Sequence, residues 1–104
     1  MIEQVYALNR PDGKLIEKVI TDDALHYLHM VLPGGEGLPE HTTNATVYMT
    51  VLKGRLTLRL AEQEAHAYEE GTVLKIPMHT RMLARNLSER TLELIVVKAP
   101  APQM

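Results

Sequence analysis

The chain has no cysteine, no tryptophan and no phenylalanine, and four tyrosines are its only large aromatic side chains. Without cysteine there is no disulfide framework, no zinc–thiolate site and no cysteine nucleophile, a pattern that fits a cytoplasmic protein. Scarce aromatics remove the stacking platform used by single-stranded nucleic acids. Charge of one sign is also missing: 11 Lys and Arg stand against 13 Asp and Glu, scattered, for a net charge of −2. The attraction that dominates nucleic-acid binding is therefore absent, and no nucleic-acid partner is expected. No apolar run is long enough to cross a bilayer, and Met1 to Ala7 carries Glu3 and Gln4 where a signal peptide needs a basic start and an apolar stretch. Neither a membrane partner nor export is expected. The single serine, Ser88, sits in a turn-like stretch and offers no Ser-His-Asp arrangement.

What is present suits one domain spanning residues 1–104, large enough to bury roughly two-thirds of the surface its unfolded chain exposes. Aliphatic residues and six methionines must fill its core, and methionine adapts well to irregular interiors. Turn signals recur at Arg10-Pro11-Asp12-Gly13, Asp22-Asp23, Pro33 to Gly37, Lys53-Gly54, Glu69-Glu70-Gly71 and Asn86 to Glu89. Between them lie short runs rich in Val, Ile, Leu, Thr and Tyr, the signature of many antiparallel strands in a barrel or sandwich. Strands are expected near residues 3–8, 14–21, 24–32, 38–43, 46–52, 55–61, 64–68, 72–76, 81–86 and 91–98. In Leu56 to Leu60 the alternation is plain: leucines face in, and Thr57 and Arg59 face out. The Ala- and Glu-rich stretch 63–70 is read as strand and turn, because Gly71 closes it too soon for a stable helix.

Two spaced sets of residues carry more specific information. Five residues separate Gly35 from His41 and six separate Val47 from Gly54; five separate Gly71 from Pro77, and His79, Met82 and Asn86 follow. This framework, over about residues 25–98, resembles the two sequence motifs of the cupin family, matching at Gly35, Gly54, Gly71, Pro77 and Asn86. The resemblance implies an all-β, single-domain jelly-roll β-barrel in which two facing hairpins enclose a metal site. Three of the four metal-binding positions of that family are changed: Thr43 stands for the second His, Val47 for the Glu and Met82 for the last His. His41 alone is retained, and His79 takes the place of a glycine in a turn that favours positive φ.

Strand parity keeps a side chain's direction when its identity changes, so His41, Thr43, Val47, Met49 and Met82 are expected to line one ligand-binding pocket. A hydroxyl is a poor ligand for a divalent transition metal and a valine is none. No metal and no cofactor are therefore expected, and no residue is assigned a catalytic role. The expected function is binding of a small, largely apolar molecule, or a sensory or structural role. The rival is a metal-dependent isomerase or dioxygenase with a divalent metal on a rearranged site around His41, drawing on His29; Cu(I) held by His41, Met49 and Met82 is a softer variant. A pure assembly module would instead show a filled interior with no pocket. Glu36 and Glu40, beside the glycine-rich loop, read as solvated charges before they read as general bases, and His26 and His66 as ordinary strand histidines. A homodimer is expected from the otherwise unpaired N-terminal strand and from the outer sheet face that carries Thr57, Arg55 and Arg59.

Overall fold

The computed structural model describes residues 1–102 and contains strands and turns, with no helix among those residues. In chain order the strands are β1 (Leu15–Thr21), β2 (His26–Leu32), β3 (His41–Thr42), β4 (Thr46–Lys53), β5 (Arg55–Leu60), β6 (His66–Glu69), β7 (Val73–Ile76), β8 (Arg81–Arg85) and β9 (Leu92–Ala99). They form a five-stranded sheet in the order β1-β2-β9-β4-β7 and a four-stranded sheet in the order β3-β8-β5-β6, with antiparallel pairing throughout. Among the described residues the two sheets share no backbone ladder, so the jelly roll is a two-sheet sandwich and not the closed barrel expected.

Alternation decides what lies between the sheets. Leu28, Met30 and Leu32 on β2, Val47, Met49 and Val51 on β4, and Leu92, Leu94 and Val96 on β9 form one apolar cluster with Leu56, Leu58, Met82 and Ala84 of the facing sheet. The intervening residues point outward, as period-two geometry requires. Stretch 63–70 contains β6 and the start of the turn at Gly71, with no helix, as expected.

Two expected strands are corrected. Residues 3–8 form none, because a strand needs a neighbouring ladder and no edge of the described chain pairs with them. The segment 38–43 shrinks to His41–Thr42: Gly37 forms an isolated bridge with Arg85 and the Leu38 N–H bonds Ala84 O, but Pro39 has no N–H with which to continue.

Asn86 ties the loops together from a position with no solvent exposure. Its Nδ2 donates to Leu32 O at 2.8 Å and to Arg90 O at 2.7 Å, while its Oδ1 accepts from Ser88 N at 3.0 Å and Ser88 Oγ at 2.8 Å. Its backbone N–H bonds Glu36 O and its carbonyl accepts from Gly35 N. The turn it organises is met from another side by Gly54, whose φ is +83° and where an added Cβ would lie 2.4 Å from Thr91 O. Only glycine satisfies both conditions.

On the outer face of the five-stranded sheet, three strands are joined by a buried histidine and two part-exposed glutamates. His29, without solvent exposure, places Nδ1 2.7 Å from Glu17 Oε1 and Nε2 2.6 Å from Glu93 Oε2. Glu17 also accepts from the Asn9 backbone N–H at 3.0 Å and from the Asn9 side chain at 2.5 Å, which fixes the N-terminal segment over the sheet. The His29 hydrogen bond, followed by that from the Asn9 backbone, holds the Glu17 carboxyl below its ordinary value.

These anchors can be tested by substitution. Asn86→Ala leaves Leu32 O and Arg90 O without their donor and should lower stability by about 3–5 kcal/mol in chemical denaturation, more than an average core truncation. For Glu17 the folded value is depressed, so its stabilisation is present above the unfolded carboxylate pKa and is lost as pH falls through the folded one. The melting-temperature difference between the native chain and Glu17→Gln should be largest near neutral pH and shrink as pH falls below the ordinary carboxylate range; a constant gap would contradict the linkage.

Candidate functional site

Of the five residues expected to form a pocket, Val47, Met49 and Met82 belong to the central apolar cluster, Thr43 clamps a turn and His41 lies on the surface. β3 lies against β8 with His41 opposite Met82, which places both on the same face. Met82 is 4% exposed and Met49 has no exposure, and both belong with Val47 to the central apolar cluster. A water-sized sphere barely reaches these three side chains. The open pocket expected from strand parity is thus corrected to packed core: parity set direction, and the bulk of two methionines closed the space.

Thr43 is buried and fully engaged. Its hydroxyl donates to Pro77 O at 2.8 Å and accepts the Thr80 N–H at 2.9 Å, while its backbone N–H bonds Thr80 O and its carbonyl accepts from His79 N. The side chain standing at a ligand position therefore clamps the turn from Pro77 to Thr80. His79 within that turn has φ +66°, the left-handed conformation expected of the glycine it replaces.

His41 is exposed on the rim. Its Nδ1 lies 3.0 Å from Pro39 O, and because a carbonyl only accepts, Nδ1 carries the hydrogen, so Nε2 is the one ring nitrogen that can offer a lone pair. One imidazole nitrogen is then the whole donor set surviving at the motif positions. Thr43 is committed to backbone partners, Val47 has no donor and Met82 is sealed in the core, so these residues do not fit a divalent metal. Among the described residues no three His, Cys, Asp or Glu side chains gather where a metal could sit.

The nearest opening is a cleft of about 570 Å³ lined by Thr42, Thr43, Asn44, Met78, His79, Pro100 and Ala101. Of the five expected pocket residues only Thr43 reaches it. Glu36 pairs with Lys14 at 3.4 Å and Glu40 with Arg59 at 3.3 Å, both on the surface. His66 is exposed beside Tyr68, with ring centroids 6.4 Å apart, and His26 lines a surface cleft with Asp22 and Asp23.

His29 does not join His41. Its neighbours Leu28 and Met30 face the core, so His29 points to the opposite side of the sheet, where Glu17 and Glu93 meet it. Reading the sequence missed this cluster. The available signal was an ionisable residue flanked on both sides by apolar ones in each of two strands, His29 in HYLHMVL and Glu93 in LELIVVKA.

With the geometry in place, comparison with known proteins is informative. A family model described as a cupin domain matches residues 28–98. An uncharacterised protein of Methanocaldococcus jannaschii is 40% identical over 104 residues, covering 99% of this chain and 90% of its own. The crystal structure of an RmlC-like cupin family protein with a double-stranded β-helix fold, from the same organism, superposes with a TM-score of 0.92 at 40% identity, covering 96% of this chain and 93% of that one. A protein from Thermus thermophilus shares the fold, with a TM-score of 0.76 at 24% identity over 92% of this chain and 91% of its own. The motif glycines, Pro77 and Asn86 hold the turns that this fold requires, and on that framework and these matches the chain belongs to the cupin family.

Proposed function

We propose that this cupin is a metal-free, non-catalytic protein of the cytoplasm that works through its surfaces, as a structural or binding unit. One observation carries the reading: at the three altered ligand positions the side chains are used for packing or for holding a turn, and none is left over for chemistry. Val47 and Met82 belong to the apolar cluster, and the Thr43 hydroxyl has both a donor and an acceptor partner within 2.9 Å. An enzyme built on His41 would need further donors around it, and the metal-dependent isomerase or dioxygenase reading has no such set in its support among the described residues.

A second reading, binding of a small and largely apolar molecule, is favoured by the cleft beside Met78. That side chain is 40% exposed at the mouth of the sandwich, next to Pro100 and Ala101, with Asn44 and His79 as polar neighbours. A few polar groups set in an apolar wall are what orient a small ligand.

Elemental analysis of untagged protein should find well under one equivalent of Fe, Mn, Ni, Cu or Zn, and Ni or Mn should leave the melting temperature unmoved. Close to one metal per chain, lost on His41→Ala, would overturn the reading. For the cleft, methionine-methyl NMR during a screen of small apolar compounds should show shifts at Met78 while Met49 and Met82 stay still. Shifts centred on Met49 and Met82 would return the ligand to the interior.

A further inference from the structure

Alternation along β4 breaks at its end. The strand pairs with β9 in regular register as far as Val51 opposite Leu94; Lys53 then stands opposite Glu93, which leaves Leu52 as an extra residue. A bulge of this kind re-aims the side chains beside it. Unbroken alternation would turn Lys53 inward with Val51. Opposite the outward Glu93 it stands instead on the outer face of the five-stranded sheet, where Leu52 and Lys53 line one cleft.

That cleft, of about 690 Å³, lies between the sheet and the segment from Ala7 to Pro11. Asn9, bonded to Glu17, holds the segment there. The sheet contributes Val31 and Leu52 and the segment Leu8; Leu8 is 39% and Leu52 37% exposed, so both leave apolar surface open to the cleft. Arg10 and Lys53 bring two cations to the same place, and among the described residues neither forms an ion pair. The one carboxylate in the lining, Glu93, has its Oε2 2.6 Å from His29 Nε2 and is engaged there.

We propose that this cleft binds a small amphiphilic carboxylate from solution, with its apolar body against Leu8, Val31 and Leu52 and its anionic head at Arg10 and Lys53. Small-molecule sites of this size combine an apolar lining with a few placed polar groups. The two cations select the sign of the head: guanidinium and ammonium both donate charge-assisted hydrogen bonds to a carboxylate, whereas a neutral or cationic head would leave them unmatched. The leucines select the body, since a bare inorganic anion would leave them in water. Other clefts lack the combination. The one beside Met78 has neither Lys nor Arg in its lining, and the one at Arg55 and Arg90 also carries Glu69 and Glu70. The proposal rests on the reading of this chain as a binding unit and gives it a ligand class, at a site that shares no lining residue with the cleft beside Met78.

Methyl NMR on the full chain, titrated with sodium decanoate below its micelle-forming concentration, should shift Leu8, Val31 and Leu52 and leave Met78 unmoved. Arg10 and Lys53 are exposed, so Arg10→Gln and Lys53→Gln keep the fold, which circular dichroism confirms; each should weaken decanoate about tenfold or more. Hexanoate should bind at least about tenfold more weakly than decanoate, because less chain is buried, and decanol should lose as much by lacking the charge. No shift with decanoate, decanol binding as tightly as decanoate, or an affinity indifferent to both substitutions overturns the proposal. So does binding to phosphatidylglycerol vesicles without binding of decanoate, which would make this face a membrane contact. Shifts confined to Met78 overturn it in favour of the other cleft. None of these results touches the metal-free reading, which elemental analysis decides by itself.

Discussion

Everything at one end of the sandwich depends on filling the hydrogen-bonding capacity of Asn86 in a place water does not reach. An amide offers two donors and an acceptor oxygen with two lone pairs. Here all four are used, on the end of β2, on Arg90 and twice on Ser88. No other side chain of that size has this complement: aspartate would set an anion against two carbonyls, and leucine would leave those carbonyls unpartnered. Because the turn after β8 is held so closely, Gly34 and Gly54 must pass beside it without a Cβ; at Gly34 an added Cβ would lie 2.8 Å from Ser88 O. The spacing of glycine, proline and asparagine in the motifs is a record of these contacts.

Much of the fold was legible because it rests on local rules. Glycines in left-handed turns, the Pro77 turn and the alternation in Leu56 to Leu60 need no knowledge of distant residues. His79 at φ +66° shows the same rule surviving a change of residue. Residues 3–8 were misread because strand-like composition states only that a segment would pair if given an edge. The site was half legible for a related reason. Parity gave the common direction of Val47, Met49 and Met82, but whether the space between facing sheets is open depends on the summed volume of side chains from both, which no single stretch reveals. The cluster of Glu17, His29 and Glu93 needed the strand order β1-β2-β9, which joins residues far apart in the chain.

The molecule separates framework from chemistry. The framework residues set backbone geometry and remain. The positions that would hold chemistry now serve the interior: Val47 and Met82 add apolar contact, and the Thr43 hydroxyl replaces a ligand with two hydrogen bonds to the neighbouring turn. Framework and site positions are thus separable, in keeping with the rule that fold and function are specified by different residues.

The strand order also governs how the molecule is built. β9, which follows the other described strands in sequence, lies between β2 and β4. While the chain is being made, β1 and β2 can pair, and so can β4 and β7, but the two halves of the large sheet have nothing to join them until β9 emerges. Until then β2 and β4 each offer an open, apolar edge. Such long-range closure slows folding and leaves nascent chains exposed to mispairing with one another. β2 and β4 are seven and eight residues long, so those waiting edges are short, and β9 supplies the ladder that joins them.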